Sequence, residues 1–441
     1  MASGAGVLKE RSYWGDTLGA VASAPLCEPD EQRLPLPQRV DVAVIGGGIT
    51  GLSAALALAR RGVSVAVLDT HAIGWGASSR NGGMVLTGLK LDAATLLARY
   101  GRELARELFR ASVESVELVE QLVNAERIDC QFHRHGHLAL ASKPGHYADF
   151  ERAAELLARE FNHPTRLVPR AAQRAELGSA IYHGGLVDEA SGGINPAQYV
   201  AGLARATRAA GATLHGAARV QRLERQGARW RVTTARGTLD AGEIVVATSG
   251  YTGSATPALQ RRLLPVGSYL IATEVLSEQQ ARELSPTGRM MYDSRHFLHY
   301  FRLTADRRLL VGGRARFVPE TERTVRASAE VLRRGMLAIY PQLRDVQVEY
   351  AWGGTLDFAF DTMPHTGSVD GYHYALGYAG HGVALASYLG SKLGAAIGTG
   401  ELGSNPFARL PFRGAPLGLH VGKDWVLPFV AAWYRLLDWV E

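Results

Sequence analysis

Three glycines and one acidic residue are spaced as in a loop that binds a dinucleotide. Gly46, Gly48 and Gly51 form a GxGxxG pattern, and Asp69 follows the last of them by 18 residues. The first glycine permits a tight turn, the second lets the backbone approach a pyrophosphate, and the third allows helix and strand to pack closely. Asp69 is placed to accept hydrogen bonds from an adenosine ribose and would repel a 2′-phosphate, which disfavours NADP. The pattern alone leaves FAD and NAD open.

The elements around these glycines predict a βαβ unit rather than a membrane span. Residues 42–59 are uncharged and long enough to suggest a span. Three consecutive glycines at 46–48 oppose a continuous helix, because each costs a helix interior about 1 kcal/mol relative to alanine. A β-branched run (VAVI) precedes them and a helix-forming run (LSAALALA) follows, and residues 63–69 (VSVAVLD) then read as a second strand. The order strand, glycine turn, helix and strand is typical of a nucleotide-binding fold.

Two further glycine-rich stretches could contact phosphates or a charged ring. Residues 73–85 (IGWGASSRNGGMV) combine small residues, hydroxyls and one arginine, although a mobile surface loop is the structural alternative. Near the C-terminus, Gly377, Gly380 and Gly382 follow a strand and precede a helix from about Val383. The positive end of that helix would stabilise negative charge on a ligand.

Composition indicates an ordinary globular protein of 441 residues, with 46% hydrophobic and 20% charged residues, and the length predicts two domains. The net charge is +6, but the basic residues are scattered among acids, so no nucleic-acid partner is predicted. Two cysteines, Cys27 and Cys130, provide neither a disulfide framework nor metal-ligand spacing. They suit a reducing cytosol, and the first residues lack the pattern of a secretory signal, so we predict a cytoplasmic protein.

Other motifs carry less weight. His133, His135 and His137 alternate along a possible strand, which would place their side chains about 6.6 Å apart, so we favour a half-exposed strand over a metal site. No GxSxG, Walker or HExxH pattern supports a hydrolase or an ATPase. The aromatic residues 425–439 favour a helix that packs on the protein over a membrane anchor.

Four ordered motifs together carry a family resemblance. The segments DVAVIGGGITGLSAALALARRG, GWGASSRNGG, EIVVATSGYT and GYAGHGVALA resemble FAD-dependent oxidoreductases of the glycine/D-amino-acid oxidase (DAO) family. With SYWGDT and WGGTLDFAFDTMPHTG, the chain looks most similar to the γ-glutamylputrescine oxidase branch, over about residues 12–440. The resemblance implies an α/β fold in which a Rossmann-like FAD-binding domain is interleaved with a substrate domain built on a mixed or antiparallel sheet. We predict an extended N-terminal arm over residues 1–37, the FAD-binding domain from 38–90, 182–258 and 355–404, the substrate domain from 91–181 and 259–354, and a helical tail over 405–441.

The resemblance also implies which residues contact FAD and substrate. Those expected to bind FAD are Gly46, Gly48, Ile49, Thr50, Gly51, Asp69, Thr70, Gly76, Ala77, Ser78, Arg80, Asn81, Gly82, Gly83, Met84, Val220, Ala247, Thr248, Gly250, Gly380, His381, Gly382 and Val383. The candidates for the substrate pocket are Tyr251, Tyr300, Arg302, Trp352 and His381, and His381 could also take a proton from the substrate. Tyr300 and Arg302 share one face of the strand HYFRL, which an ordinary strand face would explain equally well.

Departures from the family pattern narrow the chemistry. Members that oxidise α-amino acids usually have an arginine just after the glycine matching Gly353 or Gly354, and this chain has Thr355 instead. A carboxylate buried without a charge partner is costly, so amino-acid substrates are disfavoured. Members with covalent flavin carry a cysteine in the stretch matching FDTMPHTG; none is present, and non-covalent FAD is predicted. Leu310 stands where some oxidases place a lysine for oxygen activation, which leaves the electron acceptor open between oxygen and another compound.

We therefore predict an FAD-dependent amine oxidoreductase. Hydride would pass from the carbon beside the nitrogen to the flavin, and the imine would hydrolyse to an aldehyde. The expected substrate is a small primary or secondary amine, such as a polyamine derivative, and neither a nucleic-acid partner nor membrane contact is expected. The alternatives are an amino-acid oxidase or dehydrogenase of the glycine, D-amino-acid or sarcosine type, an NAD-dependent dehydrogenase, and a non-catalytic binding protein.

Overall fold

A computed structural model describes residues 8–21, 34–295, 298–313, 321–399 and 401–415. Most of the predicted helical tail, including the aromatic residues 425–439, lies outside the described residues.

The strands of this part of the chain are short to medium in length and form two large sheets and one small ribbon. In chain order they are β1 (Arg39–Ile45), β2 (Val65–Leu68), β3 (Met84–Val85), β4 (His137–Leu140), β5 (Arg166–Pro169), β6 (Gly184–Asp188), β7 (Gly192–Gly193), β8 (Thr213–His215), β9 (Val220–Gln226), β10 (Arg229–Thr234), β11 (Gly237–Val246), β12 (Leu263–Thr273), β13 (Met290–Asp293), β14 (His299–Leu303), β15 (Leu309–Gly313), β16 (Val348–Ala359), β17 (His365–Val369) and β18 (Tyr372–Leu376).

The helices pack on the faces of these sheets or link their strands. In chain order they are α1 (Tyr13–Asp16), α2 (Leu18–Val21), α3 (Ile49–Ala59), α4 (Ala93–Ala125), α5 (Pro144–Phe161), α6 (Pro196–Ala209), α7 (Pro257–Gln260), α8 (Glu278–Leu284), α9 (Glu322–Ile339) and α10 (Gly382–Ala396).

The first sheet is mainly parallel and has the order β17-β18-β11-β1-β2-β8, with β10 and β9 continuing from β11. Strand β1 is buried on both faces along its second half, which explains its uncharged, β-branched sequence. Val42 and Val44 face one core cluster together with residues of α3, α6 and α10, whereas Ala43 and Ile45 face a second cluster on the opposite side. This alternation is the period of two that a strand imposes, and the predicted strand, turn and helix are all present.

The second sheet has the order β16-β12-β15-β14-β13-β4-β6-β5 and is antiparallel except where β13 pairs with β4. Strands β12 to β15 occupy a stretch in which short runs alternate apolar and polar residues, as half-buried strands do. Helix α9 packs on one face, where Leu332 and Met336 join a cluster with Ile271 and Phe301. The opposite face carries Leu270 and Tyr300.

Two local features bear on how the helices form. Helix α4 is interrupted at Gly101, which has a φ of 73°. Within the predicted extended N-terminal arm, residues 13–21 contain two one-turn helices, α1 and α2, with Trp14 fully buried against the second sheet. Burying that large aromatic surface outweighs the low intrinsic stability of one-turn helices.

The predicted division into domains stays a prediction. One strand from the segment assigned to the FAD-binding domain lies in the second sheet. Strand β6 comes from a segment assigned to the FAD-binding domain, yet it is hydrogen-bonded between β4 and β5 in the second sheet. Over the ranges that the structure describes, no helix combines the length and the hydrophobicity needed to cross a bilayer.

Candidate active site

The first cavity lies at the carboxyl ends of the parallel strands and has a volume of about 410 Å³. Strands β1 and β2 reach it through Ile45 and Leu68, and helices α3 and α10 begin at its wall with Ile49 and Gly382. The predicted cofactor residues that line it are Gly46, Gly48, Ile49, Thr50, Asp69, Thr70, Gly76, Ala77, Ser78, Asn81, Val220, Ala247, Thr248, Gly380, Gly382 and Val383.

The glycine loop is tight enough to exclude side chains. Gly46 has a φ of +106°, and a Cβ placed there would lie 2.5 Å from the carbonyl oxygen of Ala247. A Cβ on Gly48 would lie 2.6 Å from the hydroxyl of Ser78, and one on Gly51 would lie 1.9 Å from the carbonyl oxygen of Gly46. Gly51 therefore acts through helix packing and does not line the cavity. The loop provides bare backbone at the start of α3, which suits a close-lying pyrophosphate.

Asp69 is held at the end of β2 by two backbone donors. Its carboxylate accepts hydrogen bonds from the N–H of Gly47 at 2.8 Å and from the N–H of His71 at 2.9 Å. Enclosure by the protein nevertheless raises the pKa of the Asp69 carboxyl, against the opposing effect of these bonds. The carboxylate lines the cavity, where it would meet the ribose that the sequence predicted.

A buried acid that the sequence analysis missed shapes the turn before α10. The carboxylate of Asp357 accepts hydrogen bonds from the N–H of Gly377 at 2.6 Å and the N–H of Tyr378 at 3.2 Å. Its backbone carbonyl accepts the N–H of Ala379 at 2.9 Å. Gly380 then takes a φ of +91°, which brings the chain into α10 at Gly382. The turn exposes the positive end of α10 to the cavity.

A second cavity of about 330 Å³ adjoins the first. Residues that line both are Ala77, Asn81, Leu356, Gly380 and Val383, so the two spaces meet beside the start of α10. Of the remaining predicted residues, those lining the second cavity are Arg80, Gly82, Met84, Tyr300 and His381.

The loop at residues 80–83 runs between the cavities and is held by three buried side chains from distant parts of the chain. The indole of Trp352 donates to the carbonyl of Arg80 at 2.8 Å, and the indole of Trp14 donates to the carbonyl of Asn81 at 2.8 Å. The guanidinium of Arg302 donates to the carbonyl of Gly83 at 2.9 Å. These contacts fix the direction of successive peptide groups along the loop.

Two of the predicted substrate residues hold this loop, and their contact with substrate stays a prediction. Arg302 and Trp352 line neither cavity and are only 3% and 1% exposed. Arg302 also donates to the carbonyl of Ile194 at 3.0 Å, and burial lowers the pKa of its guanidinium to about 10, so it remains charged near neutral pH. The alternating pattern correctly placed Arg302 on the same face as Tyr300. Its N–H groups, however, donate to backbone carbonyls, and one of these, the carbonyl of Gly83, also accepts the N–H of Ile194 at 2.9 Å.

The other predicted residues divide between the two spaces. Tyr300 lies against Gly82, because a Cβ on that glycine would be 2.9 Å from the tyrosine ring. Tyr251 lines the first cavity, and its hydroxyl accepts the N–H of Thr355 at 3.2 Å. Gly83 and Gly250 line neither cavity, and a Cβ on Gly250 would lie 2.7 Å from the carbonyl oxygen of Leu356.

Several lining residues were absent from the sequence-based set. In the first cavity these are His71, Trp75, Arg219, Ser249, Leu356, Asp357, Tyr378 and Ala386, together with the strand ends already described. In the second they are Leu86, Leu89, Lys90, Asp92, Ser268, Leu270, Tyr292, Leu298, Gly354 and Ala379. Trp75, Asp357 and Tyr378 lie within the quoted family motifs and so had a usable signal. Tyr292 had none, because only the register of β13 and β14 places it opposite Tyr300 on the same side of the sheet.

The alternating histidines do not form one strand face. His133 pairs with Gly193 in an isolated bridge, its ring lies 4.2 Å from that of His135, and His137 is buried at the start of β4. Among the described residues no cluster of histidine, cysteine and acidic side chains has the geometry to hold a metal ion. Cys130 is buried and lines neither cavity.

The first cavity fits an extended dinucleotide. It combines bare backbone at one helix start, a carboxylate at the end of β2, and a second helix start where it joins the second cavity. These are the features that a pyrophosphate, a ribose and a ring able to carry negative charge require.

Comparisons with known proteins agree with this geometry. The family model for FAD dependent oxidoreductases (DAO) matches residues 41–396. The chain is 35% identical over 408 residues to γ-glutamylputrescine oxidoreductase of Escherichia coli (strain K12), covering 90% of this chain and 92% of that protein. It is 34% identical over 408 residues to the probable oxidoreductase OrdL of Rhizobium meliloti (strain 1021), with coverages of 92% and 94%. The crystal structure of glycine oxidase from Geobacillus kaustophilus covers 86% of this chain with a TM-score of 0.71 at 20% identity, with 99% of that chain matched, a similarity of fold.

Proposed function

The chain belongs to the FAD dependent oxidoreductase (DAO) family, and from that membership we propose the substrate and the roles of the residues in its two cavities. The predicted family, fold class and FAD cofactor are confirmed, and the protein is an oxidoreductase that acts on C–N bonds. An NAD-dependent dehydrogenase and a non-catalytic module are set aside.

We assign FAD to the first cavity, with its redox ring at the junction between the two cavities. Bound FAD supplies the acceptor for the hydride removed from the substrate carbon. Gly46, Gly48 and Ser78 would hold the pyrophosphate, and Asp69 would hold the ribose. The start of α10 at Gly382 would provide positive potential to a ring that carries negative charge when reduced. Non-covalent attachment stays a prediction, consistent with the burial of Cys130 away from both cavities.

We assign the second cavity to a primary or secondary amine on a flexible chain, such as a polyamine derivative. The observation that carries this assignment is the wall of the second cavity, which is largely apolar and carries one acid. Its leucines are Leu86, Leu89, Leu270, Leu298 and Leu356, the acid is the exposed Asp92, and Arg80 and Lys90 are its arginine and lysine. An alkyl stem would pack on the leucines, while the carboxylate would attract a second positive charge. The E. coli relative, named for a putrescine derivative, supports the same class.

The arginine that lines this cavity is engaged elsewhere. The guanidinium of Arg80 donates to the carbonyl of Trp75 at 2.9 Å and to that of Gly353 at 3.3 Å, and it lies 4.3 Å from the centre of the Trp75 ring. It therefore serves as part of the wall. His381 lines the same cavity at the start of α10, and we propose it as a proton acceptor for the substrate amine.

The electron acceptor is proposed from the position of Leu310, and the cellular location from the cysteine content. Leu310 packs beside the second cavity, 4.0 Å from a Cβ built on Gly82, where a lysine would assist oxygen. We therefore favour slow reaction with oxygen and a second acceptor compound. The use of only two cysteines fits a reducing compartment, and we place the enzyme in the cytoplasm.

Anaerobic bleaching of the flavin tests the substrate class. Purified holoenzyme is mixed with putrescine, γ-glutamylputrescine, spermidine, glycine, sarcosine and D-alanine in turn, and air is then admitted. We expect the polyamine derivatives to bleach the flavin fastest. Preference for glycine, sarcosine or D-alanine would replace this proposal with the amino-acid oxidase alternative, and the rate of recolouring in air measures the reaction with oxygen.

A charge substitution tests the role of Asp92. Its carboxylate caps α4 by accepting the N–H of Thr95 at 2.8 Å, and asparagine caps helices equally well. The Asp92→Asn variant should therefore keep its stability while its KM rises several-fold for diamines and stays unchanged for monoamines. An equal effect on both substrate types would remove Asp92 from substrate recognition.

A further inference from the structure

A buried chain of hydrogen bonds leads away from the wall of the second cavity. The hydroxyl of Tyr292 lies 3.4 Å from Nε2 of His137, whose Nδ1 lies 2.8 Å from the hydroxyl of Ser191. The Ser191 hydroxyl lies 3.5 Å from that of Thr87, which in turn donates to the carboxylate of Asp188. All of these residues except Tyr292, which lines the cavity, are at most 8% exposed. The proposed mechanism uses none of them.

The carboxylate of Asp188, at the buried end of this chain, determines which atom donates in each of its hydrogen bonds. Asp188 accepts the N–H of Ala190 at 2.8 Å and a hydrogen bond from Nε2 of His163 at 2.7 Å as well as the Thr87 hydroxyl. Burial alone would raise the pKa of Asp188, but its hydrogen bond with His163 and the nearby histidines lower it to about 2. The carboxylate is ionised and can only accept, so the Thr87 hydroxyl must donate to it.

The remaining links follow from that starting point. Because the Thr87 proton is directed at Asp188, the Ser191 hydroxyl donates to Thr87, and Nδ1 of His137 then donates to Ser191. Nε2 of His137 is left with a lone pair, which accepts a hydrogen bond from the hydroxyl of Tyr292. Burial lowers the pKa of His137 and keeps the ring neutral; of the charged groups around it, Asp188 opposes this shift, whereas His163 and Arg289 reinforce it.

The result is a tyrosine whose proton points away from the substrate space. Burial and the charge of Asp188 raise the pKa of Tyr292 to about 12, so the phenol stays protonated and cannot act as a base. Its ring stacks on that of His137 with centres 5.3 Å apart, which limits its movement. Because the Tyr292 hydroxyl donates its hydrogen bond to His137, its oxygen keeps lone pairs that can accept a hydrogen bond from a donor in the cavity.

We propose that Tyr292 is a catalytic residue that accepts a hydrogen bond from the substrate amine, and that His137 is a positioning residue that holds the tyrosine oxygen in its accepting state. This inference rests on the proposed amine substrate. An ammonium or amine presents N–H donors and fits this oxygen, whereas a substrate that offers only acceptors at this position meets no donor from Tyr292.

The test compares binding and turnover in three variants of the holoenzyme. Tyr292→Phe removes the acceptor, His137→Asn keeps the donor to Ser191 but loses the acceptor for Tyr292, and His137→Gln restores an acceptor near Nε2. The binding probe is a tertiary-alkyl primary amine, which has no hydrogen on the carbon beside nitrogen and so cannot be oxidised, but still donates N–H. Its dissociation constant is read from the flavin spectrum, independently of turnover.

We expect Tyr292→Phe to weaken the probe and raise KM roughly ten- to hundredfold, the range for one hydrogen bond to a charged group. His137→Asn should have a similar effect, which should vanish in the Tyr292→Phe background, and His137→Gln should recover most of the binding. In the wild type, probe binding should fall at low pH as His137 takes a proton and its new N–H competes for the Tyr292 oxygen; His137→Gln should lack this limb.

Tyr340→Phe is the matched control, since it removes a buried hydroxyl that donates to the carbonyl of Leu284 at 3.2 Å and lines neither cavity. It should change neither probe binding nor the pH profile. Unchanged probe binding in Tyr292→Phe, or fully additive effects of Tyr292→Phe and His137→Asn, would overturn the inference. If the wild type binds the probe but oxidises no amine, the proposed function fails while this binding role survives.

Discussion

Replacing Trp352 with phenylalanine should weaken both the fold and the binding of FAD, because this residue supports the loop between the cavities from the second sheet. Its indole N–H donates to the carbonyl of Arg80 at 2.8 Å, and the side chain is 1% exposed. Phenylalanine fills most of the space but has no donor. The Arg80 carbonyl would then be buried without a partner, or the loop would have to move.

The expected loss has two parts. A buried carbonyl that loses its donor costs about 1–3 kcal/mol. The smaller ring adds about 1–2 kcal/mol, a fraction of the 3–5 kcal/mol typical when a buried tryptophan is cut to alanine. We therefore expect the free energy of unfolding to fall by about 2–5 kcal/mol. If the loop moves to relieve the carbonyl, the dissociation constant for FAD should rise roughly tenfold, equivalent to about 1.4 kcal/mol.

Urea denaturation of the apoprotein and a fluorescence titration with FAD measure the two quantities. Trp230→Phe is the matched control, since Trp230 is 7% exposed, lies on β10 away from both cavities, and its indole nitrogen has no hydrogen-bond partner within the described residues. The same truncation there strands no carbonyl and should cost about 1–2 kcal/mol. Equal stability losses in the two variants, with unchanged FAD binding in both, would refute the loop-holding role.

Three further outcomes follow from individual contacts. Gly48→Ala should leave the apoprotein folded after a small shift of the Ser78 hydroxyl, 2.6 Å from the new Cβ, but should weaken FAD at least tenfold in the same fluorescence titration because the methyl group occupies the pyrophosphate approach. Asp357→Asn should lower the unfolding free energy by about 1.5–3 kcal/mol, since the amide nitrogen would face one of two backbone donors, including the N–H of Gly377 at 2.6 Å; unchanged urea unfolding would contradict this. The pKa of Asp188 in the folded protein is lowered to about 2, below its value in the unfolded chain. Its contribution to stability is therefore present above the unfolded-state pKa and is lost as the pH falls through the folded-state pKa. In urea unfolding, the wild type should lose about 1 kcal/mol more than Asp188→Asn between pH 5 and pH 3.

The first cavity could be predicted because its determinants are local in sequence. Gly46, Gly48 and Gly51 lie within one turn and the start of one helix. The β-branched run directly before them is typical of a buried strand. The period of two also placed Tyr300 and Arg302 on one face. Both predictions depend on the spacing of residues that are only a few positions apart in the chain.

The loop supports could not be predicted because they join residues far apart in the chain. Nothing in the SYWGDT motif shows that the indole of Trp14 donates to the carbonyl of Asn81. The sequence around Trp352 likewise does not show that its indole donates to the carbonyl of Arg80. From the sequence alone, Arg302 and Trp352 were candidates for contact with the substrate. The structure uses their N–H groups on backbone carbonyls, a need that arises only once the loop is enclosed.

These long-range contacts should make the binding of cofactor and substrate interdependent if they occupy the two cavities as proposed. The loop at residues 80–83 lines the second cavity with Gly82, adjoins the first cavity through Asn81, and is held by Arg302 and Trp352 from the second sheet. Any substrate that shifts Tyr300, whose ring lies against Gly82, acts on the same loop. Linkage requires the effect to be reciprocal: if bound FAD improves the affinity for an amine by some factor, the amine improves the affinity for FAD by the same factor. The coupling should therefore decrease in Trp352→Phe, where the loop has lost one of its three supports, and remain intact in Trp230→Phe.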